Sequence, residues 1–293
     1  MFDIVFVILH YNTLNNTEEC VASIRNRLHG KNYHVVIVDN ASPNNSYVDL
    51  KRLYNNFEDI TLLKTDVNIG FAKGNNVGFL YAKNVLHSKF IVLMNNDIKI
   101  TQNDFIEKVT VAYEREHFDV MGPMILSADG RYTSNPVRLK LITKQEVDGI
   151  IHHYKKELVY SKLHIIWAQN IFHWIKKTLK KSARNTETIN HLMFYTNVEL
   201  HGCFLVFSPS YIRDYNGLDD RTFMYEEERI LYKHMMDDGR KMIYNPEIII
   251  YHKEGATTSE VNKKTINRKR FLWKHSLDSA YVLRSLFEND KTE

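Results

Sequence analysis

The sequence has little cysteine, proline or glycine, with two, five and eleven of them in 293 residues. The two cysteines, Cys20 and Cys203, form no CxxC pair. A chain of this length can bury a core without cross-links, and disulfide frameworks belong mainly to small secreted domains. These counts exclude a disulfide scaffold and indicate a reducing compartment, for which we predict the cytoplasm.

Long apolar runs are also missing. The opening stretch "MFDIVFVILHYN" is apolar but lacks a basic leader and a cleavage site. It is also shorter than the roughly 20 apolar residues that span a bilayer. We therefore expect it to form a buried first strand in a protein that is neither exported nor membrane-spanning. The formal net charge of +4 is too small to identify a partner, and we predict no nucleic-acid binding.

Glycine-rich phosphate loops are absent where they would be needed. Dinucleotide-binding folds carry GxGxxG after the first strand, and P-loops carry GxxxxGK[ST] there. Here the first strand is followed by "HYNTLNN", which contains no glycine. Gly70, Gly74 and Gly78 come later and four residues apart. Hydride transfer and P-loop phosphoryl transfer therefore lose most of their support.

Short apolar runs alternate with helical patterns through the first hundred residues. The runs are "IVFVIL", "HVVIVD", "ITLLK" and "FIVLMNND". Alternation of this kind predicts an α/β fold, with a mostly parallel sheet between two layers of helices. Ligands of such sheets bind beyond the carboxyl ends of the strands. Asp39 ends the second run, and Asn95, Asn96 and Asp97 end the fourth, so we expect the functional site there.

The alternation stops between about residues 127 and 199, which we interpret as a mainly helical insertion. The sheet pattern resumes with the strand "CFLVFSP", a helix over about 227–238 and the strand "EIIIYH". A basic helix over about 263–287 closes the chain. The predicted segments are therefore 1–126, 127–199, 200–260 and 261–293.

Two of the strand-end carboxylates suit a bound nucleotide. Asp39 can accept hydrogen bonds from ribose hydroxyls or a pyrimidine N–H, and Asp97 can bind a hard cation through oxygen. Each also has a purely structural interpretation. Asp39 could form an Asx-turn with Ser42, and Asp97 could cap the helix near Asp104. Taken singly, neither residue decides between the two.

The ordered set of motifs is more specific than any single one. "VILHYN", "VIVDNAS", "NIGFAKGNNVG", "LMNND", "HGCFLVF", "FMYEEE" and "YHKEGATT" occur over residues 1–126 and 197–260. In this order they resemble glycosyltransferase family 2, an inverting family with a GT-A fold. Within that family the sequence resembles bacterial rhamnosyl- and related transferases of capsule and O-antigen synthesis. The resemblance implies a nucleotide-sugar-binding half in 1–126 and an acceptor-side half with the catalytic base in 200–260.

The resemblance also implies roles for the donor-side residues. Asp39 would recognise the nucleoside, and Tyr11 and the backbone around His10 would line the base pocket. The turn beside the nucleotide and donor sugar would be held by Asn68, Gly70 and Asn75.

The DxD-type motif would be Asn95, Asn96 and Asp97, with Asp97 binding the metal. His252 would be a second ligand, and an imidazole beside a carboxylate suits Mn²⁺ as readily as Mg²⁺. Asn95 replaces the usual first aspartate, which reduces the carboxylates available to the cation.

The acidic stretch would supply the catalytic base. The second acid of the family's Glu-Asp pair is the base, which corresponds to Glu228, with Glu227 as the alternative. Glu228 is one methylene longer than the usual aspartate. These glutamates could also simply stabilise a helix N-terminus, where acidic side chains are favoured by the helix dipole.

The partners implied are a UDP- or dTDP-sugar donor and a saccharide acceptor that could be lipid-linked. Residues from about 160 to 185 carry an apolar stripe followed by Lys176, Lys177, Lys180, Lys181 and Arg184. This stretch predicts docking on an anionic membrane at the inner face of the cell membrane, or a homodimer contact. A catalytically inactive family member and a sugar-nucleotide nucleotidyltransferase remain as alternative functions.

Overall fold

A computed structural model of the chain describes residues 1–127, 130, 135–162, 189–253 and 266–288. It confirms the predicted α/β class, with one nine-stranded sheet between helices. The strands are β1 Ile4–His10, β2 Tyr33–Asp39, β3 Ile60–Lys64, β4 Phe90–Asn95, β5 Ile98–Ile100, β6 Val120–Ser127, β7 Tyr195–Thr196, β8 Phe204–Phe207 and β9 Met242–His252. The helices are α1 Leu14–Arg27, α2 Ser46–Tyr54, α3 Phe71–Asn84, α4 Phe105–Glu116, α5 Lys144–Lys162, α6 Pro209–Asp214, α7 Glu227–Asp237 and α8 Ile266–Leu286.

The sheet runs in the order β3-β2-β1-β4-β8-β6-β9-β5, and β7 pairs with β9. Strands β3, β2, β1 and β4 are parallel, whereas β8 lies antiparallel between β4 and β6. Every residue of β2 is buried, as are all but one of β1. A strand covered on both faces must be apolar on both, which explains the unbroken apolar runs in the sequence.

Two hydrophobic clusters cover the two faces of the sheet, and a third joins α5, α7 and α8. Gly74 and Gly78 bring α3 against β1, since a Cβ on Gly78 would lie 2.3 Å from a methyl of Val7. The third cluster includes Ile230 of α7 and Ala280 of α8. The C-terminal helix therefore packs behind the helix that begins with the acidic stretch.

The segment predicted as a helical insertion is mixed in structure. Its described part contains α5, but residues 195–196 form β7, and Glu199 bridges to Arg138 in antiparallel fashion. A two-residue strand is too short to produce a periodic pattern, which explains why the sequence did not indicate it. The apolar stripe and lysine cluster predicted to dock on a membrane lie almost wholly outside the described residues. No helix in the described ranges combines the length and apolarity needed to cross a membrane.

Candidate active site

The carboxyl ends of three adjacent parallel strands form the edge on which the site lies. In register, His10 of β1 is opposite Asp39 of β2, and Leu9 of β1 is opposite Asn95 of β4. Neighbouring strands lie about 4.8 Å apart, so the backbones at Asp39 and Asn95 are separated by about 10 Å. The fold thus places the predicted nucleoside-binding and metal-binding ends on one edge.

Asp39 is fully buried at the end of β2. Its two carboxylate oxygens accept the backbone N–H of Ser42 at 3.2 and 3.4 Å. The Ser42 hydroxyl in turn accepts the backbone N–H of Asn12 at 2.9 Å. The turn with Ser42 considered for Asp39 is therefore present, although its bond reaches three residues on and not the two of an Asx-turn. It orders the loop between β2 and α2 beside the end of β1. Tyr11 is 37% exposed next to this turn.

The His10 side chain is fully buried and faces the helices that follow β1 and β2. Its Nδ1 lies 2.7 Å from Thr17 Oγ1 of α1, and its Nε2 lies 2.8 Å from Ser46 Oγ of α2. Burial lowers the pKa of His10, although the charge of Asp39 partly opposes this. His10 thus holds two helix starts against β1, which leaves only its backbone to line a pocket.

The turn before α3 is held by Asn40, a residue that sequence reasoning missed. The Asn40 amide donates to Asn68 Oδ1 at 3.1 Å and to the Gly70 carbonyl at 3.0 Å. Its Oδ1 accepts the Ile69 N–H at 3.0 Å and the Thr65 hydroxyl at 3.2 Å. A side-chain amide whose NH₂ group donates and whose oxygen accepts hydrogen bonds is typical of a buried residue that holds a turn in place. Only its place in "VIVDNAS", directly after Asp39, could have indicated it.

Gly70 directly contacts the segment predicted to be the acceptor-side half. Its φ is +90°, and a Cβ there would lie 2.3 Å from the Phe223 carbonyl oxygen. The same oxygen accepts the Phe71 N–H at 2.7 Å. Asn75 is 1% exposed and donates to the Phe71 carbonyl at 3.0 Å, so its side chain supports the first turn of α3.

The three residues of the DxD-type motif have different surroundings. Asn95 is partly exposed, and its backbone N–H donates to the Cys203 carbonyl at 2.9 Å. Asn96 is buried, and its amide donates to the hydroxyls of Thr13 at 2.8 Å and Thr17 at 2.9 Å. Asn96 therefore joins the His10–Thr17 pair. Asp97 supplies the carboxylate of the motif, and this carboxylate lies close to a second possible metal ligand.

That second ligand is His252, at the end of β9. Its Nε2 lies 3.2 Å from Asp97 Oδ1, and β5 and β9 pair at Ile98 and His252. Asp97 Oδ1 is buried and accepts no hydrogen bond from the described residues. Two cis ligands of an octahedral ion with bonds near 2.1 Å are separated by about 3.0 Å. The pair therefore fits a divalent cation.

No group of three His, Cys, Asp or Glu side chains that could hold a metal occurs in the described part of the chain. An all-protein cage is not needed for a nucleotide-bound cation. Mg²⁺ in such sites is commonly held by one or two carboxylates together with substrate phosphates and water. Asp97 and His252 are the residues that would hold the cation here.

The acidic stretch, Glu226 to Glu228, leads into α7. Tyr225 and Glu226, just before the helix, have left-handed backbone conformations. Glu227 is 7% exposed and accepts the Thr222 hydroxyl at 2.9 Å. Burial, reinforced by the charge of Glu228, raises the pKa of Glu227 to about 7. Glu228 is less buried and accepts the Gly202 backbone N–H at 3.2 Å.

The segment from Glu199 to Gly202 contacts both the acidic stretch and His252. His201 packs edge-to-face on His252, with ring centroids 5.9 Å apart, and its neighbour Gly202 holds Glu228. Behind the acidic stretch, Ser279 of α8 donates to the Met224 carbonyl at 2.9 Å. The motif "HGCFLVF" could have indicated His201. Nothing in the sequence of α8 indicates the contact between Ser279 and Met224.

Solved structures share this fold at low sequence identity. A crystal structure of GalNAc-T7 with UDP, GalNAc and Mn²⁺ is 13% identical, covers 86% of this chain and 44% of its own, and gives a TM-score of 0.55. The crystal structure of TarS residues 1–349 from S. aureus is 12% identical and covers 99% of this chain and 73% of its own, with a TM-score of 0.52. These likenesses establish the GT-A fold and nothing finer.

A curated relative and a family profile give the closer classification. The "Low-salt glycan biosynthesis hexosyltransferase Agl10" of Haloferax volcanii is 26% identical over 128 residues. That match spans 44% of this chain and 38% of the relative. The profile named "Glycosyl transferase family 2" matches residues 5–215, which is more than half of the chain. The chain therefore belongs to glycosyl transferase family 2.

Proposed function

We propose that this protein transfers a hexosyl or deoxyhexosyl group from a nucleotide-diphosphate donor, a UDP- or dTDP-sugar, to a hydroxyl of a saccharide acceptor, with inversion. The observation that carries the proposal is the pair formed by Asp97 and His252. Their facing atoms are 3.2 Å apart at the sheet edge that also bears Asp39. A cation between them would lie where the diphosphate of a nucleotide anchored at Asp39 ends.

The donor side is supported by the order of groups along the edge. Asp39 and Tyr11 would receive the nucleoside, and the turn of Asn68 and Gly70 would flank the diphosphate and sugar. GalNAc-T7 was crystallised with UDP and Mn²⁺, and TarS with UDP. The divalent cation, Mn²⁺ or Mg²⁺, would neutralise charge on the leaving diphosphate.

The acceptor side favours Glu228 as the base. Glu228 is tied to Gly202, beside the histidine that packs on His252, whereas Glu227 is buried and directed at Thr222. A base must reach the hydroxyl from which it takes the proton. The Glu228 carboxylate would take the acceptor's O–H proton as that oxygen bonds to the anomeric carbon. The bond from this carbon to the diphosphate oxygen breaks, and its electron pair leaves with the diphosphate.

The biological setting is also part of the proposal. The Haloferax relative is named for glycan biosynthesis, and the motifs resemble transferases of bacterial capsule and O-antigen. We therefore propose a role in surface polysaccharide synthesis on a lipid-linked acceptor, at the cytoplasmic face of the membrane. The proposal also assigns the lysine cluster of the predicted insertion to docking on the anionic membrane, or the insertion to a homodimer contact.

The metal pair provides the first test. Thermal melting with UDP, dTDP and their sugars, with and without Mn²⁺ or Mg²⁺, should show a rise in melting temperature that depends on the metal. Release of nucleoside diphosphate is then measured with the donor that gives this rise. Asp97→Asn should abolish the metal-dependent part of the rise, because it removes the anionic ligand. Asp104→Asn serves as the control, since Asp104 is an exposed residue at the start of α4.

Two outcomes would count against this function. If Asp97→Asn keeps the full metal-dependent shift and turns over donor like the wild type, the metal assignment is wrong. If the wild type binds donors but releases no nucleoside diphosphate with any saccharide, the result favours the alternative that the protein is a catalytically inactive family member. Release of pyrophosphate from a nucleoside triphosphate and a sugar phosphate would instead indicate a nucleotidyltransferase.

A further inference from the structure

His201 is held in place through both its backbone and its ring. Its backbone N–H donates to Asn135 Oδ1 at 3.0 Å, and the Asn135 amide donates to the Pro123 carbonyl of β6 at 2.8 Å. Asn135 is fully buried, so this anchor is shielded from water. The ring is held separately, because its Nδ1 accepts the backbone N–H of Cys203 at 3.1 Å. The orientation of the ring is therefore set before any substrate binds.

The bond from Cys203 also fixes the position of the ring proton. A backbone N–H can only donate, so the ring nitrogen that accepts it carries no proton. In a neutral imidazole whose Nδ1 is unprotonated, the proton is on Nε2. His201, which is partly exposed, therefore carries a neutral N–H donor at Nε2.

His201 adjoins the Asp97–His252 pair, and the next residue in sequence holds the proposed base. Its ring packs edge-to-face on His252, with centroids 5.9 Å apart, and His252 Nε2 lies 3.2 Å from Asp97 Oδ1. The N–H of Gly202 donates to Glu228 Oε1 at 3.2 Å. A diphosphate that ends at the Asp97–His252 pair, with its sugar directed at Glu228, would therefore pass beside His201.

The lysines that follow the two residues of this pair in sequence already have a partner. Lys99 Nζ lies 2.7 Å from Glu19 Oε2, and Lys253 Nζ lies 3.1 Å from Glu19 Oε1. A leaving diphosphate gains negative charge as its bond to the sugar breaks, and hydrogen-bond donors fixed in advance at that position stabilise it. His201 supplies such a donor, because two hydrogen bonds fix it in place.

We propose that His201 is a donor-binding residue whose Nε2–H donates to the β-phosphate of the nucleotide. This inference rests on the proposed function, because it adds a contact to the leaving group proposed there. The contact would exist for a nucleoside diphosphate and be missing for a nucleoside monophosphate. The preference for the diphosphate over the monophosphate is therefore the property that His201 should control.

Two amide substitutions separate the two ring nitrogens. Gln places its NH₂ group near the position of Nε2 and lacks the Nδ1 acceptor, whereas Asn places its oxygen near Nδ1 and has no donor at the Nε2 position. His201→Gln should keep the diphosphate preference. His201→Asn should lose about 10- to 100-fold of it, the usual contribution of a hydrogen bond to a charged group. A purely structural role through Cys203 predicts the reverse order.

The measurement is calorimetric titration of the full chain with UDP and UMP, or with dTDP and dTMP, in excess Mg²⁺. The ratio of the two dissociation constants is the readout, since a general loosening of the nucleoside site changes both. Monophosphate affinity should stay close to the wild-type value in both variants. His191→Asn is the matched control and should leave the ratio unchanged. His191 is also partly exposed, and its Nδ1 also bonds a backbone group, the Asn135 carbonyl at 2.7 Å.

Nitrogen NMR of the wild type with ¹⁵N-labelled histidine tests the same contact without removing it. The Nε2 resonance of His201, assigned by its absence from His201→Gln, should shift when UDP and Mg²⁺ are added and should shift less with UMP. If His201→Asn does not fold, this measurement decides the question.

The inference is overturned if His201→Asn keeps the full diphosphate preference, or if the Nε2 resonance responds equally to UDP and UMP. Equal losses in His201→Asn and His201→Gln would also overturn it, because the packing of the ring on His252 would then be what matters. A wild type with no preference for the diphosphate in Mg²⁺ would instead contradict the proposed function. If the wild type prefers the diphosphate and releases it on transfer, but neither variant alters the preference, only this inference fails.

Discussion

The proposed donor and acceptor sides of the site are built from different chemistry. On the donor side, the polar groups behind the strand ends are mostly neutral and paired, as in the chain of contacts from Ser46 through His10 and Thr17 to Asn96. On the acceptor side, the four glutamates Glu199 and Glu226 to Glu228 lie close together, and Arg229 pairs with Glu199 and Glu226. Burial raises the pKa of both Glu199 and Glu227 to about 7.

Left-handed backbone occurs on both sides. On the donor side, positive φ angles are found at Asn12, Ala41 and Asn45 in the loops after β1 and β2, and at Gly70 before α3. The acceptor side enters α7 through Tyr225 and Glu226 with φ of +76° and +66°. Such conformations cost roughly 1–2 kcal/mol per non-glycine residue and often occur at functional sites. The two sides therefore differ in their charge and not in their backbone conformation.

The largest expected effect comes from breaking the acceptor side at its base. Glu228→Gln should keep donor affinity, while kcat falls by roughly 100-fold or more, since this is the usual contribution of a general base. The measurement is steady-state nucleoside diphosphate release with the donor found by thermal melting. The exposed Glu247→Gln is the control. If Glu227→Gln is the crippling change and Glu228→Gln is not, the base has been placed one residue too far along.

A smaller effect is expected from breaking the neutral donor side. Thr17→Val removes the hydroxyl that meets both His10 and Asn96. It leaves the buried His10 Nδ1 without a partner, whereas the Asn96 amide keeps Thr13. Unfolding in urea should show a loss of about 1–3 kcal/mol, because an unsatisfied buried polar group costs about that much. Donor affinity should also fall, since Asn96 adjoins Asp97.

Thr110→Val is the matched control for this change. Thr110 lies within α4 and donates only to the Ile106 carbonyl at 3.0 Å, so its loss should cost less than about 1 kcal/mol. Equal losses in the two variants would show that the contacts among His10, Thr17 and Asn96 add little to the fold.

The features that the sequence could predict are those set by local pattern. Unbroken apolar runs indicate buried parallel strands, and the order of strands and helices places Asp39 and Asp97 at one edge. The helix expected over about 227–238 is α7, Glu227–Asp237. The α/β class and the family are confirmed by the fold and the family profile.

The features that it could not predict depend on contacts between distant segments. Glu199 and Arg229 are separated by thirty positions, and neither lies in a pattern that marks a charged pair. Asn40 is a clamp only because β2 ends next to the turn at Asn68 and Gly70. Similarly, β8 inserts antiparallel between β4 and β6, an arrangement that four apolar residues cannot indicate. The metal and base assignments stay predictions until the variants are measured.

The smallest expected effect sharpens the comparison through pH. The folded-state pKa of Glu227, about 7, is above the unfolded value near 4.3. Between these values the folded state binds more protons, so this residue's contribution to stability falls as pH rises through the window. Glu227→Gln removes the ionisation. At pH 8 the variant should therefore be more stable than wild type, by about 1–2 kcal/mol, and this gain should largely vanish at pH 4.5.

Urea unfolding of wild type and Glu227→Gln at the two pH values measures this difference. Gln keeps an oxygen that can accept the Thr222 hydroxyl, so the comparison isolates the charge. Glu247→Gln, at an exposed position, should show no pH-dependent gain. The Thr17→Val loss should be the same at pH 7 and pH 8, because Thr17 does not ionise and the His10 pKa lies below this range. A Glu227→Gln gain that does not grow between pH 4.5 and pH 8 would show that the acidic stretch carries no more buried charge than the donor side.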